Sequence, residues 1–145
     1  MAVNDWPETG LVISYRFLWA REHAQGVEHG RKARPTCVVV PLTTRGRDVV
    51  LFPLTTQEPG TERVFIRVPE IERRRLRLRG SGPTWLLLDE GNRDVLPGSY
   101  HVEPIAYDPP VHAYGTFSRA FMRVALQRLA AALRSGGVKL VPREQ

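Results

Sequence analysis

The chain has 145 residues, of which 42% are hydrophobic and 25% charged, the range of one globular domain with one modest core, so residues 1–145 are read as a single domain. Its formal charge of +6 rests on arginine, since Lys32 and Lys139 are the only lysines; arginine grips phosphate in a bidentate way and fits an anionic partner, although an arginine-rich genome leaves the same bias. One cysteine, Cys37, excludes a disulfide framework within the chain. The charged, non-apolar start argues against a signal peptide, and no run reaches the roughly 18 apolar residues of a membrane span, so the expected location is the cytoplasm.

Residues 11–19 (LVISYRFLW) carry polar Ser14 and Arg16 two apart, the alternation of a half-buried strand begun by Gly10. Residues 20–34 show charges, glycines and histidines without apolar period and read as a long loop. Residues 36–42 (TCVVVPL) and 48–54 (DVVLFPL) are continuous β-rich runs around a glycine-bearing connection, the best hairpin in the sequence. A short strand at 64–68 follows, then Pro69, where a short helix can open, with a polar, solvated segment at 70–75. Residues 84–88 (TWLLL) read as a buried strand, and residues 99–105 alternate after the turn Pro97-Gly98.

The last substantial element is a helix over residues 118–134. Phe117, Phe121, Val124, Ala125, Leu129, Ala132 and Leu133 fall on its apolar face, Ser118 or Thr116 caps its start, and Gly136-Gly137 ends it. Several short strands and one terminal amphipathic helix predict a mainly β (α+β) fold: a small, strongly bent sheet or barrel with the helix closing one side.

Two motifs bear on chemistry. Gly30-Arg31-Lys32-Ala33-Arg34-Pro35 leads into one hairpin strand, and Phe52-Pro53-Leu54-Thr55-Thr56-Gln57 ends the other. Pairing of those strands sets a guanidinium beside hydroxyls, a small phosphate-directed site. Each motif also has a plain structural reading: Arg-Pro suits any entry into a strand, and threonine favours strands.

Gly10-Leu11-Val12-Ile13, the loop ending Arg34-Pro35, Cys37-Val38-Val39-Val40 and Phe52-Pro53-Leu54-Thr55-Thr56-Gln57 together resemble the MazF/PemK toxins of bacterial toxin-antitoxin systems. Leu88-Asp89-Glu90-Gly91-Asn92 sits where that family has an acidic segment, and Tyr114-Gly115 precedes the closing helix as a glycine does there. The resemblance implies an SH3-like barrel, a homodimer, a cognate antitoxin protein, and a metal-independent endoribonuclease acting on single-stranded RNA without a cofactor. It places Arg34 and Thr55 at the cleavage site. There the ribose 2′-hydroxyl attacks the adjacent phosphate, leaving a 2′,3′-cyclic phosphate and a 5′-hydroxyl end.

The supporting residues are less defined. A guanidinium is a poor general base, so Glu22 or Glu28 from the loop is the candidate base, with Thr56 in support. His23 and His29 read as loop residues, because their spacing makes no helical metal motif. Candidate RNA contacts are Arg31, Lys32 and Gln57 beside the two motifs, Trp19 as a base-stacking platform, and Asn92 at the acidic segment. Arg73, Arg75 and Arg77, in the basic run at 72–79, either track phosphates or face solvent from an edge strand. Two other functions share the same outline: a CcdB-like toxin that inhibits a protein such as DNA gyrase, and a nucleic-acid-binding barrel without catalysis. The C-terminal end lacks the closing tryptophan motif of the gyrase poisons.

Overall fold

The computed structural model of the chain describes residues 8–28, 32–41, 47–78, 80 and 82–144; His29, Arg31, Arg79 and the hairpin connection at 42–46 lie outside them. The order of elements is β1 (Leu11–Tyr15), α1 (Ala20–Ala24), β2 (Arg34–Pro41), β3 (Asp48–Thr55), β4 (Phe65–Arg67), α2 (Glu70–Arg75), β5 (Trp85–Leu87), β6 (Glu90–Val95), β7 (Ala106–Tyr107), β8 (Pro110–Val111), β9 (Ala113–Thr116), α3 (Arg119–Arg134) and β10 (Lys139–Pro142). The fold is mainly β with a long helix near the C-terminus.

One sheet runs in the order β10-β6-β3-β2-β1-β9, with β4 and β5 branching from β3, and a separate two-stranded ribbon pairs β7 with β8. Pairing is antiparallel except between β10 and β6. The described strands leave the sheet open rather than closed into a barrel. Its bend lies in β3, whose first half pairs β6 (Asp48↔Val95 to Leu51↔Asn92) and whose end pairs β5 (Leu54↔Leu86, Thr55↔Trp85).

The predicted hairpin is β2 and β3, in register from Thr36↔Pro53 to Pro41↔Val49 with a bulge between Val38 and Val40. Its apolar runs are continuous because both faces are covered. Val12, Cys37, Val39, Val50, Phe52 and Leu54 point into a core shared with Phe121, Ala125 and Leu129 of α3. The alternate residues Leu11, Ile13, Tyr15, Val38, Val49 and Leu51 build a second core with Leu96 on the other face.

α3 starts as predicted, with Ser118 Oγ accepting from Phe121 N. Its buried face differs from the predicted one: Met122 is inside, whereas Val124 and Leu133 are exposed. It is also not the final element, because β10 follows it and completes the sheet edge beside β6.

Several further expectations are corrected. The first strand stops at Tyr15, not residue 19, because Phe17 N turns back to donate to Tyr15 O at 3.0 Å, and its five residues are buried throughout rather than on one face only. Asn92 ends it by taking both backbone groups of Leu18: Leu18 N donates to Oδ1 and Nδ2 donates to Leu18 O. The loop at 20–34 contains α1, whose first turn is closed by Trp19 N donating to Glu22 Oε1 and Ala20 N donating to Glu90 Oε1.

The basic run is α2 and the turn after it, not an edge strand, and the segment 70–75 is not uniformly solvated. Glu72 is buried and accepts from Ser118 N and Arg75 Nη2, tying α2 to the start of α3. Glu90, Gly91 and Asn92 of the acidic segment begin β6, and Asp89 lies in the bend that leads into it. Residues 99–105 form no strand; they meet β1 at the bridge Tyr15↔Val102 and through Glu103 N donating to Ser14 O, and β6 through Ser99 Oγ donating to Asp94 Oδ2.

Candidate active site

Arg34 opens β2 and Thr55 ends β3. Each lies two residues beyond the last β2–β3 pair, Thr36↔Pro53. Both line one open cleft of about 870 Å³, together with Trp19, Lys32, Thr56 and Gln57. The two motifs, separated in sequence by the whole hairpin, are thus brought to one place by antiparallel pairing.

The backbone at Arg34 is fixed by Thr36, fully buried, whose Oγ1 donates to Arg34 O at 3.0 Å. The guanidinium carbon of Arg34 stands 5.1 Å from the centroid of the Trp19 ring, and Arg34 Nε is buried without a hydrogen-bond partner among the described residues. Burial pushes the Arg34 guanidinium down from the ordinary arginine range; Glu22 opposes that shift and Arg21 adds to it. Arginine starts so high that it stays charged at neutral pH. Thr55 Oγ1 accepts from Gln57 N at 3.1 Å, which orients the hydroxyl and leaves its own hydrogen to be donated elsewhere. A cation and a hydroxyl donor at adjacent strand ends can both hydrogen-bond one phosphoryl group.

The remaining predicted residues separate. Neither loop carboxylate lines the cleft: Glu22 is half-buried and near enough to act on the charge of Arg34, Glu28 is exposed, and the carboxylate in the lining itself is Glu58. Arg31 lies outside the described residues. Asn92, predicted to contact RNA, is instead fully buried: it clamps Leu18, and its Oδ1 also accepts from Arg143 Nη1. An amide with 0% exposure has no surface to offer a ligand.

None of the three arginines of the basic run lines the cleft. Arg73 is turned inward, its Nη1 donating to Gly80 O and Gly82 O and its Nε to Glu70. Arg75 donates to Thr116 O and Glu72, while Arg77, at φ 53, sits exposed in the turn that ends α2.

Asp89, in the acidic segment, holds Arg63. Arg63 Nε and Nη2 donate to its two oxygens at 2.8 Å each, and Nη2 also reaches Glu90 at 3.2 Å. Burial alone would raise the Asp89 carboxyl, but the hydrogen bonds from Arg63 and Val64 N outweigh it and hold the group below the usual carboxylate range. Arg21 and Arg63 also line the cleft, and sequence reasoning missed both. Arg21 was legible as a cation two residues beyond Trp19; Arg63 gave no signal, because its partners arrive from β6 only in the fold.

Among the described residues no three His, Cys, Asp or Glu side chains gather as a metal site would require, and no helix is long and apolar enough to cross a membrane. No protein-family model, curated protein or solved structure significantly matches the chain.

Proposed function

We propose that this protein is a growth-inhibiting endoribonuclease of the MazF/PemK type that cleaves single-stranded RNA without a metal ion. The observation that carries the reading is the convergence of Arg34 and Thr55 at paired strand ends in a cleft whose other lining includes Arg21, Lys32 and Gln57. The bend of β3 between two sets of partners supports the SH3-like component of the proposal. A cytoplasmic setting, a homodimer and a protein antitoxin covering the basic cleft belong to the same proposal.

In this mechanism the ribose 2′-oxygen forms a bond to phosphorus as the bond from phosphorus to the 5′-oxygen breaks. Arg34 balances the charge on the non-bridging oxygens, and the Thr55 hydroxyl donates to one of them. The 2′-hydroxyl proton passes to Glu22 or to solvent, and a solvent proton completes the departing 5′-hydroxyl. Glu22 is the better base of the two loop carboxylates because of its proximity to Arg34.

The test is incubation of the purified chain with a long single-stranded RNA in EDTA, followed by mapping of the product ends. The expected result is discrete cuts with 5′-hydroxyl ends and cyclic phosphates. Intact RNA across varied sequences would move the assignment to a gyrase-type inhibitor or a binding protein, and cuts abolished by EDTA would contradict the metal-free step.

A further inference from the structure

Trp19 was expected to stack on a base, yet its ring is already engaged. The guanidinium carbons of Arg34 and Arg21 lie 5.1 and 5.7 Å from its centroid, and Phe17 meets it edge-on at 5.0 Å with an interplanar angle of 73°. The indole is anchored from below as well, because it packs against the second core cluster. Its backbone is held too, Trp19 N donating to Glu22 Oε1 at the start of α1.

Arg34, by contrast, has a long flexible side chain whose Nε is buried with no hydrogen-bond partner among the described residues. A planar cation in that situation takes its orientation from the aromatic face over which it lies. Two guanidiniums near one ring repel each other, and the electron-rich indole together with the nearby Glu22 offsets that repulsion.

We infer that Trp19 is the positioning residue of the Arg34 site: its ring is the platform that holds the guanidinium aimed into the cleft, rather than a surface for an RNA base. The inference rests on the endoribonuclease reading for its effect on rate, but not for the contact itself. An interaction that aligns the transition-state cation changes kcat, whereas a base-stacking contact changes the affinity for RNA.

The test compares Trp19→Leu and Trp19→Phe for cleavage of a fixed single-stranded RNA, with the arginine Nε–H and tryptophan indole signals followed by NMR. The expected result for Trp19→Leu is about a tenfold loss in kcat with KM within about twofold of the wild type, most of it regained in Trp19→Phe, which keeps an aromatic face. The Arg34 Nε–H signal should move in Trp19→Leu, and the Trp19 ring signals should move reciprocally in Arg34→Gln. That second variant removes a partly exposed side chain and decides the matter if Trp19→Leu fails to fold. A raised KM with kcat unchanged, or Trp19 ring signals unmoved in Arg34→Gln, would overturn the platform. If the wild type cleaves no RNA, the endoribonuclease reading fails, and the reciprocal shifts still decide whether Trp19 holds Arg34.

Discussion

At the scale of single residues, the cleft wall is held by paired charges that sequence order does not reveal. Arg63 bridges Asp89 and Glu90, and Glu90 in turn closes the first turn of α1, so one arginine links the segment before β4 to the element that carries Trp19. Asp89 has its pKa depressed in the folded state, so its contribution to stability is complete above the unfolded value of about 4 and is lost as the pH falls through the lower folded value. Asp89→Asn should therefore be less stable than the wild type by roughly 1 to 2 kcal/mol at pH 7 in urea unfolding, with the gap closing in the acid range below about pH 4. A gap that is constant with pH would mean that the pair contributes by shape alone. Asn92 and Arg143 show the same logic without titration of a carboxylate: Arg143, buried, reaches Asn92 Oδ1, Arg16 O and His101 Nδ1, and so fastens the end of β10 to the segment after β1.

At the scale of elements, what could be read from the sequence was what has a clean period. The β2–β3 hairpin and α3 are long enough for one pattern to dominate, and both stand close to their predicted bounds. β6 was not legible as a strand, because Glu90, Asn92 and Asp94 point polar groups inward to partners from other elements: Ala20 N, Leu18 and Tyr15. With polar residues inward and Arg93 outward, no apolar alternation is left for a hydrophobic pattern to signal. The arginine run misled for the opposite reason, since the ion pairs from Glu70 and Glu72 to Arg73, Arg74 and Arg75 are spaced for a helix.

Packing between elements also explains a glycine that the sequence only hinted at. Gly115 in β9 has φ +140, and a Cβ there would stand 2.5 Å from Leu76 Cδ2 at the end of α2. Gly115→Ala should cost about 1 to 3 kcal/mol by combining backbone strain with overpacking, seen as a lower urea midpoint at unchanged slope. Wild-type stability in this variant would show that α2 and β9 are not packed as described.

At the scale of the whole molecule, antiparallel pairing is what makes a site from two distant motifs. The sequence displayed Arg34-Pro35 and Thr55-Thr56 as separate strand-end signals, and only the pairing of β2 with β3 brings them to one cleft. The lining of the cleft by Arg63 and the engagement of Trp19 by two cations were not legible, since they depend on α1 and β6, the elements that lacked a pattern. The charge of +6 is likewise not spread evenly in effect: Arg73 and Arg143 are committed to internal partners and Arg63, at the cleft wall, to Asp89, while Arg21, Lys32 and Arg34 are the further cations of the cleft lining. The most direct measurement of the account is single-turnover cleavage of one defined RNA by the wild type, Arg34→Ala and Thr55→Ala, with each variant shown by circular dichroism to be folded. The predicted result is a loss of about 100-fold or more in rate for each variant, the scale for removing one stabilising donor from a transition state. A folded Arg34→Ala protein that cuts the RNA at the wild-type rate would contradict it.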